Sequence, residues 1–126
     1  PFVQTGNQLY VSGQVSAGPD GFITGKLGAD MDVDAGVKAA QRCALALLAQ
    51  ARKAAGGDLN RVRVLKLVGF VNSTADFTEQ PKVINGASDL MVAVLGDNGR
   101  HARSAVSAAS LPFGVAVEIE GIFELT

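Results

Sequence analysis

The end of the chain alternates between apolar and charged residues with the period of a β-strand. Between Val115 and Leu125, apolar side chains fall at alternate positions, and Glu118, Glu120 and Glu124 fall between them. Because successive side chains of a strand point to opposite faces, this segment predicts a strand with one buried face and one charged face. Such a strand is stable only when a second layer of structure covers its apolar face.

Two other segments have the helical period instead. From Asp34 to Ala55, apolar residues recur every three or four positions, as they do along one face of a helix. Asp32 or Asp34 can cap the start of this helix, and Gly56 can end it. A second helix is predicted from Pro81 to about Leu95, since proline is favoured in the first turn.

The remaining segments are predicted to be strands and turns. Phe2–Gln4 and Gln8–Ser12 form a hairpin, and a glycine-rich irregular connection follows over residues 13–32. Residues 61–71 form a central strand, and residues 102–109 are expected to pair with the final strand. The order ββαβαββ predicts an α+β sandwich with two helices on one face of the sheet. The other face needs a partner, which a homo-oligomer would supply.

The size and composition of the chain exclude several classes of protein. Its 126 residues predict a single domain over residues 1–126. A net charge of −1 does not attract polyanions, so nucleic acid is not an expected partner. No apolar run reaches the roughly 18 residues that cross a bilayer, so no membrane association is predicted. A single cysteine and no recognisable secretory signal predict a cytoplasmic protein.

Residues that bind metals and phosphates are too few for a familiar site. One histidine and one cysteine cannot supply a standard zinc ligand set, so no metal is predicted. The run Gly21–Gly28 is not a phosphate loop, because Leu27 stands where Ser or Thr would bind magnesium. Cys43 is expected to be a small buried hydrophobe beside the apolar face of the first helix. His101 is expected to be a solvated or hydrogen-bonded loop residue.

One arginine, Arg103, opens a short strand that carries no other charge. Its planar guanidinium can bind a carboxylate through two hydrogen bonds, which is how proteins hold small organic acids. The alternative is a structural ion pair with Glu118 or Glu120 on a paired strand, an ordinary arrangement in sheets. The residues alone leave both interpretations open.

Several segments match one family in order and in spacing, over essentially the whole chain. They are Gln8–Gln14, Val68–Asn72 with Asp76 and Phe77, and Ala102–Val106 continuing through Leu111 and Pro112 to Val117–Ile122. With these segments the chain resembles the YjgF/Rid family. Members of that family are 2-iminobutanoate/2-iminopropanoate deaminases, and they are also labelled endoribonuclease L-PSP or translation inhibitor.

The resemblance implies a chorismate-mutase-like α+β protomer that forms a homotrimer with three clefts at the subunit interfaces. It also implies hydrolysis of reactive enamine/imine intermediates to 2-oxo acids and ammonia without a cofactor. By position, Arg103 would bind the substrate carboxylate and Glu118 would orient the attacking water. The residues that would line the substrate are Phe2, Ser12, Gly13, Asn85 and Ala105.

The chain departs from the common family pattern in three places. Phe2 stands where a tyrosine is frequent, Ala105 stands where many members carry cysteine, and residues 91–100 are longer than the usual connection. The first two changes remove a hydroxyl and a thiol from the cleft. They leave the expected carboxylate clamp intact, and the physiological substrate is not predicted.

Three functions remain open from the sequence. The first is hydrolysis of small 2-imino acids, and the second is a non-catalytic small-carboxylate-binding or chaperone-like trimer that uses the same clefts. The third is an endoribonuclease or translation inhibitor. A ribonuclease would need a basic groove with stacking aromatic residues, whereas this chain has a net charge of −1 and 6% aromatic residues.

Overall fold

The computed structural model describes residues 1–126, with five strands in one sheet and two helices on one of its faces. The strands are β1 (Phe2–Thr5), β2 (Gln8–Val15), β3 (Ala17–Gly18), β4 (Gly21–Phe22), β5 (Val62–Asn72), β6 (Ala102–Ala108) and β7 (Val117–Leu125). The helices are α1 (Val33–Ala54) and α2 (Gln80–Leu95), and short 3₁₀ helices lie at Leu59–Arg61, Gly96–Gly99 and Pro112–Gly114. The predicted α+β class is confirmed.

The strand order in the sheet is β1-β2-β7-β5-β6. All neighbours are antiparallel except β5 and β6, which run parallel with Leu67 opposite Arg103. The expected pairing of the Arg103 strand with the final strand is therefore wrong. The strand β7 already has β2 and β5 on its two edges, and the crossover through α2 returns β6 parallel to β5, at the edge of the sheet.

The helix ends follow the capping signals in the sequence. The Asp32 carboxylate accepts a hydrogen bond from the Ala35 backbone N–H at 2.8 Å, which makes Asp32 the N-cap of α1. Just beyond the other end of α1, Gly56 has a φ of +68°, a conformation that favours glycine. Both helices begin one residue earlier than predicted. Neither has the combination of length and apolar composition that crossing a membrane requires.

The core lies between the helices and one face of the sheet. The apolar face of β7 is fully buried there, as its alternation predicts. Where α1 and α2 cross, a Cβ at Gly86 would overlap the backbone carbonyl oxygen of Val37, so only glycine allows this approach. The largest side chains in this core include Leu9, Leu47, Leu67, Ile84, Met91, Ile119 and Phe123.

No layer of this chain covers the other face of the sheet, which we call the outer face. Tyr10 of β2 and Val106 of β6 lie there with 44% and 45% of their surfaces exposed. Glu118, Glu120 and Glu124 of β7 lie on the same face. The structure leaves this face uncovered within one chain, and its burial in a homo-oligomer stays a prediction.

The connection before α1 contains more regular structure than predicted. The strand β2 extends to Val15, and β3 and β4 form a small separate hairpin. Between Val11 and Gln14 the regular pairing of β2 with β7 is interrupted, and the register of the two strands shifts. This shift places Gly13 beside β7, and no local signal in the sequence marks it.

Candidate functional site

The guanidinium of Arg103 is held at one end by α2. Its Nη1 donates to Oδ1 of Asn85 at 2.8 Å and to Oγ of Ser88 at 3.2 Å. Asn85 and Ser88 are three residues apart and therefore lie on the same face of the helix. The resemblance to the family predicted Asn85 as a substrate-lining residue, and the structure brings it to Arg103. Ser88 was missed, although its spacing from Asn85 was a usable signal.

The rest of the Arg103 guanidinium has no partner within the chain. Its Nε and Nη2 donors make no hydrogen bond, and none of the three ion pairs in the chain includes it. The alternative of a structural ion pair with Glu118 or Glu120 is therefore wrong for a single chain. The Nε–Nη2 edge has the fork geometry that binds a carboxylate through two hydrogen bonds.

A cavity of about 270 Å³ opens beside Arg103. His101 is half-buried at its wall, with Nε2 2.9 Å from Oγ of Ser88 and Nδ1 2.6 Å from the carbonyl oxygen of Gly99. The expectation of a hydrogen-bonded loop histidine is confirmed. The cavity is lined by Ser88, Asp89, Val92, Arg100, His101 and Arg103.

Glu118 lies on β7, directly against Gly13 of β2. A Cβ at Gly13 would overlap Oε2 of Glu118, so the carboxylate lies against the Gly13 backbone in space that any side chain would fill. The Glu118 side chain is half-buried and makes no ion pair within the chain. Ser12, the residue before this glycine, is exposed. The structure thus brings Gly13 to Glu118, with Ser12 next to them.

Arg103 and Glu118 lie on opposite faces of the sheet. Arg103 contacts α2 on the helix-covered face, whereas Glu118 alternates with the buried Val117 and Ile119 and so projects onto the outer face. The strand β5 also separates β6 from β7. A single chain does not bring the two residues together, and a site that contains both needs two copies of the chain.

Two of the three departures from the family pattern, Phe2 and Ala105, lie at opposite edges of the sheet. Phe2 is in the edge strand β1, and Ala105 is in the edge strand β6, two residues after Arg103 and opposite Gly69 of β5. Both side chains pack against the core. Ala105 is therefore near Arg103, while Phe2 is not.

The single cysteine has no nucleophilic character. Cys43 is buried in α1, and its Sγ donates to the carbonyl oxygen of Val117 at 3.5 Å. Burial, together with a smaller contribution from the negative charge of Glu118, raises the pKa of the Cys43 thiol to about 12. The thiol is protonated at neutral pH, in agreement with the prediction of a small buried hydrophobe.

Comparison with known proteins agrees with this architecture. A family described as "YjgF/chorismate mutase-like, putative endoribonuclease" matches residues 1–122. The chain is 53% identical to the protein TCP17 of Trypanosoma cruzi, over 98% of this chain and 79% of that protein. A crystal structure of the protein Atu1372 from Agrobacterium tumefaciens, of unknown function, superposes with a TM-score of 0.97 at 51% identity, covering 100% of this chain and 80% of the other. A crystal structure of RidA from an Antarctic Psychrobacter has a TM-score of 0.58 at 29% identity, covering 98% and 85%.

Proposed function

The chain belongs to the YjgF/Rid family, and from this premise we propose that it hydrolyses small 2-imino acids to 2-oxo acids and ammonia. The observation that carries the proposal is the guanidinium of Arg103, which is fixed at Nη1 and free of any carboxylate of its own chain. A guanidinium held in this way is organised for the carboxylate of a ligand before the ligand arrives.

The reaction needs mainly orientation and a water molecule. An enamine first becomes its imine by proton transfer to carbon, and the protonated imine carbon beside a carboxylate is electrophilic. Arg103 would hold the carboxylate, and Glu118 would align the water and accept one of its protons. The water oxygen bonds to the imine carbon, and the amino nitrogen of this adduct then takes up a proton through water. The carbon–nitrogen bond breaks, the nitrogen leaves as ammonia, and the hydroxyl of the adduct loses its proton. The remaining carbon–oxygen bond becomes the carbonyl of the 2-oxo acid.

The proposal includes a homotrimer with clefts between the subunits. Arg103 and Glu118 lie on opposite faces of one chain, so one subunit would supply Arg103 and its neighbour would supply Glu118. The apolar side chains on the outer face, Tyr10 and Val106 among them, would be buried in the contact between subunits. Phe2, Ser12, Gly13, Asn85 and Ala105 would line the substrate.

A coupled assay tests the proposal directly. A serine or threonine dehydratase generates the enamine, and release of pyruvate or 2-oxobutanoate should be faster when this protein is added. The Arg103→Ala variant should lose the acceleration, and the control Arg52→Ala, at the exposed end of α1, should keep it. Equal acceleration by the Arg103→Ala variant would contradict the proposed site.

Two other functions make different predictions in the same experiments. A carboxylate-binding or chaperone-like trimer would bind 2-oxo acids through Arg103 but would not accelerate their release. The family is described as a putative endoribonuclease, so ribonuclease activity should be tested as well. RNA cleavage that survives exhaustive purification and disappears in the Arg103→Ala variant would replace the imine hydrolase as the preferred function.

A further inference from the structure

Only two of the lysine and arginine side chains are half-buried, Arg103 and Lys26, and all the others are exposed. Nζ of Lys26 donates to Oδ1 of Asn72 and to the carbonyl oxygen of Ala109, both at 2.6 Å. Both acceptors are neutral, and none of the three ion pairs includes Lys26. The Asp30 carboxylate accepts from the backbone N–H of Lys26 rather than from its ammonium. Since a cation withdrawn from water is normally paired, Lys26, like Arg103, lacks an anion.

One donor of the Lys26 ammonium remains for that anion. The group carries three protons and has two acceptors within the chain. These acceptors also fix its position, because Asn72 is 5% exposed and its own Nδ2 donates to the carbonyl oxygen of Val115 at 3.1 Å. The ammonium is therefore organised before an anion binds, in the same way as the Arg103 guanidinium.

The Lys26 ammonium lies on the outer face of the sheet, as Glu118 does. Leu27, which follows Lys26, hydrogen-bonds to the backbone at the end of β5 and is buried in the core. Val71, which precedes Asn72, is buried in the same core. Because successive side chains alternate between faces, Lys26 and Asn72 meet on the face that the helices leave uncovered.

Lys26 and Glu118 are near neighbours on this face but are not paired. Phe70 of β5 is opposite Glu118 of β7, and Asn72 follows two residues later on the same face, so about 7 Å of sheet separates the two rows. The Glu118 carboxylate lies against Gly13 on the β2 side of β7, whereas Asn72 lies on the β5 side. The ammonium and the carboxylate thus lie on opposite sides of β7 and make no ion pair.

We propose that Lys26 binds the second carboxylate of a 2-imino dicarboxylic acid in the cleft that contains Arg103 and Glu118. The inference rests on the proposed function, in which one subunit supplies Arg103 and its neighbour supplies Glu118. Lys26 enters the cleft together with Glu118, so the cleft has one fixed cation from each subunit. The hydrolysis is unchanged: water adds to the imine carbon, ammonia leaves, and the product is a 2-oxo dicarboxylic acid.

The separation between the rows of Lys26 and Glu118 favours an acid of four or five carbons. The imine carbon of such an acid lies one or two methylene groups from the distal carboxylate. Hydrogen bonds of about 2.8 Å then join this carboxylate to the ammonium and the attacking water to Glu118, and together these contacts span the ~7 Å between the rows. A monocarboxylic acid leaves Lys26 without an anion, so the cleft should discriminate against it.

Two ligands with the same five-carbon chain test this inference, 2-oxoglutarate with two carboxylates and 2-oxopentanoate with one. Calorimetry on the wild-type protein should give a Kd at least about tenfold lower for 2-oxoglutarate, as expected for one hydrogen bond between charged groups. Lys26→Met should bring the ratio of the two Kd values close to one. Lys26→Gln, which keeps an N–H donor for Asn72 and Ala109, should do the same. The control Lys53→Met, at the exposed end of α1, should retain the wild-type ratio.

Chemical modification of the wild-type protein gives a second readout that does not depend on the folding of a variant. Bound 2-oxoglutarate should slow the acetylation of Lys26 in proportion to the fraction of sites occupied, as measured by mass spectrometry, and 2-oxopentanoate should not. The exposed Lys53 should react equally in all samples.

The inference would be overturned by equal wild-type affinities for the two ligands, by a ratio that survives in Lys26→Met, or by acetylation of Lys26 that saturating 2-oxoglutarate does not slow. Failure of the proposed function is a different result. In that case 2-oxoglutarate would bind through Lys26, but the protein would accelerate neither the hydrolysis of the imine from a dehydratase nor that of the imine from an aspartate oxidase.

Discussion

At the scale of single residues, the proposed chemistry depends on the shape of the Arg103 guanidinium as well as on its charge. Nη1 is occupied by Asn85 and Ser88, and the free edge can bind both oxygens of a carboxylate. Lysine has no equivalent planar pair of donors. We therefore expect Arg103→Lys, like Arg103→Ala, to lose most of the activity in the dehydratase assay. Full activity of the lysine variant with a normal Kd for 2-oxobutanoate would show that charge alone is sufficient.

The same assay distinguishes the role of Glu118 from the roles of the other glutamates of β7. If it orients the attacking water, Glu118→Gln should slow turnover about 100-fold or more, as expected for loss of a general base, while the Kd for 2-oxobutanoate changes little. The control is Glu124→Gln, which removes a half-buried carboxylate 3.9 Å from Nη1 of Arg63 and should leave kcat unchanged. Weaker binding with normal turnover would instead make Glu118 a residue that only helps to hold the ligand.

At the scale of elements, the contact between α1 and α2 depends on Gly86. A Cβ there meets the backbone carbonyl of Val37, which cannot move without shifting the whole helix. Gly86→Ala should lower the free energy of unfolding by about 1 to 3 kcal/mol, despite the better helix propensity of alanine. Gly36→Ala is the control, because its nearest neighbours, at 3.1 Å, are side-chain methyl groups of Leu27 and Val83 rather than backbone atoms, and the contact is less close. If urea denaturation gave the same loss of unfolding free energy for Gly86→Ala and Gly36→Ala, this explanation would be contradicted.

The contact between α1 and β7 should make stability fall at high pH. The pKa of the Cys43 thiol rises from 9.0 to about 12 on folding, so the folded state holds its proton where the unfolded chain releases it. The thiol therefore contributes stability fully below pH 9, and this contribution is lost between about pH 9 and 12. With about 1.4 kcal/mol per pKa unit, the total is about 4 kcal/mol.

Denaturation of Cys43→Ala measures this contribution. Between about pH 9 and 12, the free energy of unfolding should fall less for Cys43→Ala than for the wild type, because the variant has no thiol to titrate. This difference does not depend on how stable the variant is at pH 7. Lysine and tyrosine titrations affect both proteins alike and cancel in the comparison. Parallel pH profiles for the wild type and the variant would show that the buried thiol does not influence stability.

At the scale of the whole molecule, the proposed site is shared between subunits, and mixing inactive variants tests this. Arg103→Ala and Glu118→Gln chains, refolded together in equal amounts, should regain activity, because about one cleft in four of a random ring combines an intact Arg103 with an intact Glu118. Each variant alone should stay inactive. Light scattering should give three times the 12.9 kDa chain mass for all samples. No recovery in a confirmed mixed trimer would mean that both residues act from the same chain.

The secondary structure and the α+β class were predictable from the sequence because their causes are local. Helical and strand periods decide which side chains can share a face, and Asp32 and Gly56 act on backbone groups within a few residues of themselves. The apolar face of β7 is predictable for the same reason. The family was recognisable because its segments keep their order and spacing along the whole chain.

The tertiary structure alone decided how the residues of the site are grouped. Strand pairing depends on contacts between distant segments, and the crossover through α2 places β6 against β5 rather than β7. That pairing sends Arg103 to Asn85, Ser88 and the His101 cavity, and leaves Glu118 with Gly13 on the outer face. The sequence, through its resemblance to the family, predicted Arg103 and Glu118 as the residues of the proposed chemistry. Only the sheet topology decided that one chain holds them apart, because topology sets which face and which edge each side chain occupies.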